Sequence, residues 1–162
     1  MAFDAYLKLD TVDGESTRKG FEKWIEIYSF SLGASNPSNI GSGAGAGAGK
    51  VDISSLNVMK KSDATSPKLF GACCSGKHFP KASLVLNKAG GDAAVDYIKY
   101  EFTEVFVDSV QWSGSSGGDD TPTESLSLAF ASVHITYTPQ KAVGTMLSAV
   151  VAGWNVKTNV AA

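Results

Sequence analysis

Apolar and polar side chains alternate along much of this chain, and a period of two restricts the fold more than any other feature of the sequence. In residues 3–10 the odd positions are apolar, whereas Asp4, Lys8 and Asp10 stand at even positions. This pattern is typical of β-strands with one buried face. Further segments with strand character are Phe21 to Leu32, Val51 to Met59, Ala82 to Lys88, Val95 to Val110, Glu124 to Thr138 and Met146 to Val156. Several such strands in one domain predict a β-barrel or a β-sandwich.

Two of these segments depart from simple alternation. Between Phe21 and Leu32 the apolar positions change phase, from Ile25 and Ile27 to Tyr28, Phe30 and Leu32, which predicts a bulge or a bend. The segment from Val95 to Val110 is apolar on both faces, with Ile98, Tyr100, Phe102 and Phe106 on one and Tyr97, Val105 and Val107 on the other. An antiparallel strand with two apolar faces has no polar face for solvent, which indicates either a sandwich interior or a subunit contact. The periodicity favours neither.

One segment, Asp63 to Ser75, is predicted to form a helix. Ser66 is the expected N-cap, Pro67 occupies the first helical position, and Gly76 follows the end. The side chains of Leu69, Phe70 and Cys73 are predicted to share the face that packs on the β structure. We expect only this helix.

Charge and length exclude several classes of protein. Fourteen Lys and Arg residues face sixteen Asp and Glu residues, so the chain lacks the basic excess that binding of nucleic acid requires. Apolar stretches fall short of the ~20 residues that span a bilayer, and the charged opening segment does not resemble a signal peptide, so we expect no membrane insertion. We therefore expect synthesis in the cytoplasm and, if the protein is exported, a route without a signal peptide. Residues 1–162 suffice for one domain with its own core.

Two glycine-rich segments, Gly41 to Lys50 and Ser113 to Thr121, interrupt the strands and are expected to be surface loops. The first resembles a nucleotide-binding loop only superficially. The phosphate-binding motif requires Gly five residues before Gly49 and Ser or Thr after Lys50, whereas Ala44 and Val51 stand there. A strand-like segment follows in place of a helix, so the loop is not expected to bind a dinucleotide.

Candidate catalytic groups are sparse. Cys73 or Cys74 with His78 is the one nearby nucleophile–base pair, and the intervening residues offer no carboxylate to orient the imidazole. Both thiols are expected to be reduced, and with His134 as the other histidine the chain offers no metal-ligand cluster. Glu101 and Glu104 are predicted to lie on opposite strand faces, solvated or paired with lysines. We expect no enzyme activity, cofactor or metal.

Several long segments in order resemble one family. They are AFDAYLKLD with GES at 14–16, the WIEIYSFSLG run ending at Gly33, GKV at 49–51, SPKLFGACCSGKHFPKASLVLNKAGG at 66–91, PTESLSLAF at 122–130, and YTPQKA followed by GWN. The chain resembles the Hcp family, the haemolysin-coregulated proteins that form the inner tube of the type VI secretion system. The resemblance covers nearly the whole chain.

This resemblance implies a mainly β fold: a β-barrel of antiparallel strands with one short α-helix and extended glycine-rich loops. It also implies a homohexameric ring, stacking of rings into a hollow tube that is exported, and the spike-tip protein, the contractile sheath and small effector proteins as partners. By the family pattern, Ser29 and Ser31 are predicted to face the lumen and contact cargo. The residues predicted to contact a neighbouring subunit or ring are Gly41, Ser42, Gly43, Ala44, Gly45, Ala46, Gly47, Ala48, Gly49 and Lys50.

The leading hypothesis is therefore a structural tube subunit that carries effectors. The alternative is a monomeric β-barrel that binds a small ligand in its interior. A thiol enzyme that uses Cys73 or Cys74 with His78 is a third hypothesis, which replacement of both cysteines tests.

Overall fold

Antiparallel strands and a single helix make up the described part of the chain, which in this computed structural model is residues 3–37, 49–88, 95–141 and 145–162. The elements are β1 (Phe3–Leu9), β2 (Ile25–Ile27), β3 (Ser29–Ser31), β4 (Ala34–Ser35), β5 (Asp52–Ile53), β6 (Leu56–Lys61), α1 (Ser66–Ser75), β7 (His78–Lys88), β8 (Val95–Ser113), β9 (Thr123–Ala129), β10 (Ser132–Tyr137), β11 (Val150–Asn155) and β12 (Val160–Ala161).

The long strand β8 organises the main sheet. The strand order is β12-β11-β10-β8-β7-β1-β2, and β9 pairs with the second half of β8. Beyond β9 lie β6 and then β3, whereas β4 and β5 form a separate two-stranded sheet. The sheet curves into a barrel-like form, which confirms the predicted fold class, although the ladder of strand pairs does not close.

The phase change predicted between Phe21 and Leu32 is a sharp bend at Tyr28. Before it β2 pairs with β1, and after it β3 pairs with β6. The Tyr28 amide donates a hydrogen bond to the Met59 carbonyl oxygen over 2.8 Å. The Tyr28 side chain is 62% exposed, so its predicted place beside Phe30 in the apolar phase is wrong. The bend allows one segment of chain to serve two parts of the sheet.

The predicted helix is confirmed, with two corrections. It begins at Ser66 and not after it, and its N-cap, Thr65, makes no side-chain capping hydrogen bond. Pro67 lies in the first turn, and Gly76 ends the helix in the left-handed conformation with φ of 67°. Leu69 is fully buried and Cys73 half-buried, but Phe70 is 49% exposed because the next residue of a helix points about 100° away.

The predicted faces of β8 are also corrected. Phe102, Val105 and Val107 are all buried, whereas Phe106 is only half-buried and packs on the His78 ring with centroids 3.7 Å apart. The cause is Glu104, whose φ of 48° interrupts the extended backbone and reverses the alternation. The second half of β8 therefore sends its apolar side chains into the same core as the first half.

The core lies between the curved sheet and α1. Its fully buried members include Leu7, Leu9, Ile25, Leu69 and Leu84. Burial of a leucine or isoleucine side chain of this kind stabilises the fold by about 1.5–3 kcal/mol. The helix contributes Leu69 and Ala72 to this cluster and packs mainly against β8.

Candidate functional surfaces

Four neighbouring strands carry an uncharged polar surface. In the register of β3, β6, β9 and the second half of β8, two rows of side chains cross the sheet. One row is Ser29, Met59, Ser125 and Gln111, and the other is Ser31, Asn57, Ser127 and Ser109. We call these residues the polar face. The predicted site residues Ser29 and Ser31 are exposed and stand at the same edge of it, one in each row.

An irregularity in β8 completes the polar face. The register of β8 against β9 shifts between Val107 and Ser109, which leaves Asp108 as an extra residue. Because of this shift, Val107 is buried while Ser109 and Gln111 are exposed beside the serines of β9. Sequence analysis did not predict Asn57, Met59, Ser109, Gln111, Ser125 and Ser127 as part of the surface of Ser29 and Ser31.

Two charged residues, Lys61 and Asp108, border the polar face, and each contacts other side chains of the same chain. The Lys61 Nζ atom lies 3.7 Å from Asp119 Oδ2 and 5.8 Å from the centre of the Tyr28 ring. Asp108 Oδ2 accepts a hydrogen bond from Ser55 Oγ over 2.8 Å. A groove of about 400 Å³ follows the face. The surface can therefore form hydrogen bonds and a contact with the Met59 side chain, but it presents no charge of its own.

Beneath the polar face lies a buried ionic cluster. Lys60 and Glu124 are paired in the ladder between β6 and β9, with Nζ 3.3 Å from Oε2. Lys60 Nζ also contacts Asp63 Oδ1 at 2.9 Å and Ser66 Oγ at 3.0 Å, so it joins the sheet to the start of α1. Trp112 Nε1 donates to Glu124 Oε2 over 2.9 Å. Among the described residues, Glu124 Oε1 is buried without a hydrogen-bond partner.

The signal for this cluster was present in the sequence. Lys60 follows Leu56 and Val58 in the buried phase of β6, and Glu124 precedes Leu126 and Leu128 in that of β9. Each charged residue occupies a position that is otherwise apolar in its strand. Once the two strands are known to be neighbours, such a pair of opposite charges indicates a buried ion pair.

On the other half of the sheet, an apolar surface is only partly covered. In the register of β8, β10 and β11, Ile98 pairs with Tyr137 and Tyr137 with Val150, while Tyr100, Ile135 and Ala152 form the next row. We call these six residues the apolar wing. Val150 is 64% exposed and Tyr137 43%, so the described chain leaves this end of the sheet largely open to solvent. Burial raises the pKa of Tyr100 above its usual value.

A groove of about 310 Å³ adjoins the apolar wing, with Leu32 and Ile53 on the opposite wall. At its inner end stands Trp154, whose Nε1 is buried and finds no acceptor among the described residues. A buried donor without an acceptor is uncommon in folded proteins.

The predicted inter-subunit loop falls largely outside the described residues. Gly41, Ser42, Gly43, Ala44, Gly45, Ala46, Gly47 and Ala48 all lie there, whereas Gly49 is half-buried and Lys50 exposed. A Cβ atom at Gly49 would stand 2.5 Å from the Pro37 carbonyl oxygen. Glycine is therefore required at position 49.

The groups considered for catalysis contact other residues or solvent. Cys73 Sγ donates to the Asp108 carbonyl oxygen over 3.7 Å, Cys74 is exposed, and His78 packs on Phe106. Glu101 and Glu104 are paired with Lys99 and Lys157 at 2.9 and 2.7 Å, which confirms the predicted pairing with lysines. Within the described ranges, no three His, Cys, Asp or Glu side chains are grouped to hold a metal ion.

The described helix is too short and too polar to cross a bilayer, and no other helix is found in this part of the chain.

Comparison with known proteins gives a consistent result. The model of the family described as "Type VI secretion system effector, Hcp" matches residues 6–137. Protein hcp1 of Pseudomonas aeruginosa is 42% identical over 163 residues, which cover all of both chains. A solved structure of a type six secretion system protein is 40% identical with a TM-score of 0.94, covering 99% of this chain and all of the other. Hcp1 from Salmonella typhimurium is 34% identical with a TM-score of 0.82, and both chains are fully covered.

Proposed function

Because the chain belongs to the Hcp family, the non-enzymatic tube proteins of the type VI secretion system, we propose that six copies close into a ring whose subunit contacts include the apolar wing. The protein is an exported inner-tube subunit. Because of this family membership, we do not retain the alternative of a monomeric ligand-binding barrel. We further assign the surfaces through which the copies meet.

The exposed apolar wing is the observation that carries the ring contact. Its two rows continue the core-facing side of the sheet beyond the barrel, where Val150 and Tyr137 remain accessible. Apolar side chains in such an ordered arrangement are stabilised when a partner covers them. In a closed ring each subunit presents two different surfaces, so the wing of one copy meets another part of its neighbour.

The polar face is assigned to the lumen in the same proposal. It carries Ser29 and Ser31, which the family pattern predicts to face the lumen, and its hydroxyl and amide groups suit a wet passage. Residues Gly41 to Lys50 are assigned to contacts with neighbouring subunits or the next ring. The remaining partners in the proposal are the spike-tip protein, the contractile sheath and small effector proteins. Export is proposed to proceed from the cytoplasm without a signal peptide.

Light scattering and native mass spectrometry of the purified protein test the ring directly. We expect a mass several times that of the 16.9 kDa chain, and annular particles in electron micrographs. A protein that remains a monomer at high micromolar concentration would contradict the proposal.

Two matched variants test the apolar wing. Ala152→Glu places a charge within the wing, and we expect the assembled fraction to fall at least about tenfold, because a desolvated charge without a partner is costly. Thr136→Glu introduces the same charge on the opposite side of the neighbouring strand, beside Lys99. It should leave assembly intact. An equal loss of assembled protein in both variants would show that the apolar wing is not part of the interface.

A further inference from the structure

The chemistry of the polar face indicates what kind of cargo it holds. Charged residues make up 19% of the chain, yet none belongs to either of its rows. At its border, Lys61 is paired with Asp119, whereas Asp108 accepts a hydrogen bond from the neutral Ser55 hydroxyl and keeps its negative charge. The two rows themselves therefore add no long-range attraction or repulsion toward a charged protein. Recognition therefore depends on short-range hydrogen bonds and on apolar contact.

Met59 is the apolar group of the polar face. Its side chain is 42% exposed, and its partners in the register are Ser29 on one strand and Ser125 on the other. Because serine side chains are short, the longer thioether stands above the surface between them. An unbranched, polarisable side chain adapts its shape to different apolar partners. Flanking hydroxyls can satisfy the polar groups around such a contact.

We propose that the polar face holds uncharged polar protein segments that present an apolar side chain to Met59. This inference rests on the proposed lumenal position of the polar face. Met59 is then the residue that sets affinity, and the surrounding serines and amides accept many different backbones and polar side chains. Cargo is selected by the absence of charged residues in the segment that contacts the polar face. The net charge of the whole cargo protein plays little part. Retention is weak at each copy and is increased by repetition of the face around the ring.

The three methionines of the chain, Met1, Met59 and Met146, provide the measurement. Assembled protein labelled with carbon-13 at the methionine methyl groups is titrated with a short peptide of serine, asparagine and leucine, capped at both ends. Two matched peptides replace the serines with lysine or with glutamate. The Met59 methyl signal, assigned from Met59→Leu, should shift with the uncharged peptide and shift little with either charged one. Met146, 38% exposed and distant in sequence, is the internal reference.

Salt and substitution complete the test. The apparent affinity of the uncharged peptide should change less than about twofold between about 50 and 500 mM NaCl. Met59→Leu should retain the affinity for the uncharged peptide. Met59→Lys should weaken this affinity about tenfold, since a charge replaces the apolar contact. Stronger, salt-sensitive binding of a charged peptide, or binding that leaves the Met59 signal unchanged, would overturn the inference. Light scattering of each sample separates this outcome from failure of the ring itself.

Discussion

Lys60 Nζ lies 3.3 Å from Glu124 Oε2, and both side chains are entirely buried. The pair stands directly under the polar face, since Met59 and Ser125 are their neighbours in the two strands. It also holds Asp63 and Ser66 at the start of the helix. One buried ammonium group thus connects the sheet, the helix and the loop between them.

Removal of this ammonium group should be strongly destabilising. Lys60→Met leaves two carboxylates without their cation, and we expect a loss of about 3–5 kcal/mol in the free energy of unfolding. The double variant Lys60→Met with Glu124→Gln should lose less than the two single variants together, because the unpaired charge at position 124 is gone. Urea unfolding at one protein concentration measures both. Additive effects would show that the two groups do not interact.

The helix offers a comparison between adjacent residues. Leu69→Ala should cost about 2–5 kcal/mol, because it opens a cavity in a fully buried site. Phe70→Ala should cost clearly less, since Phe70 is 49% exposed and its ring contacts Trp112 at 5.6 Å between centroids. Thermal and urea unfolding provide the comparison. Equal losses would mean that Phe70 belongs to the core.

Two glycines should respond in opposite directions to alanine. Gly71 lies within the helix with open space where a Cβ would stand, so Gly71→Ala should stabilise the protein by about 0.5–1 kcal/mol. At Gly14 the Cβ would lie 2.3 Å from the Trp24 carbonyl oxygen, so Gly14→Ala should displace the backbone and destabilise the fold. Midpoints of thermal unfolding decide both signs.

Glu104 should titrate below its ordinary range. A hydrogen bond from Lys157, together with the charge of Lys157, lowers the pKa of Glu104 from the usual 4.5. A depressed pKa in the folded state means that the stabilisation is present above pH 4.5 and is lost as the pH falls through the lower, folded-state value. Lys157→Met should bring the pKa back toward 4.5 in an NMR titration. Asp13, whose pKa is lowered by Lys8, should not change and is the control.

The cysteines should differ in access and matter little for function. Cys74 is exposed and Cys73 half-buried, so iodoacetamide should modify Cys74 first, as peptide mass spectrometry can measure. Replacement of both by alanine should preserve ring formation and export. Loss of export with intact rings would instead support the thiol-enzyme hypothesis.

Local sequence information determined the main elements of this protein. Alternation predicted most of the strands, Pro67 and Gly76 bounded the helix, and the phase change near Tyr28 predicted the bend. These features depend on neighbours in the chain, because backbone geometry and the burial of one strand face act over a few residues. The resemblance to Hcp proteins then placed Ser29 and Ser31 on a functional surface, and this role remains a prediction.

Only the tertiary structure decided which residues meet. Glu104 adopts a positive φ that alternation cannot reveal, and it reverses the faces of β8. Ser31, Asn57, Ser127 and Ser109 form one row because strand pairing brings together positions that are distant in sequence. The burial of Lys60 likewise depends on Glu124, more than sixty residues away, since a charge enters a core only where a partner compensates its lost hydration. Pairing across the sheet therefore gives the surface its chemistry.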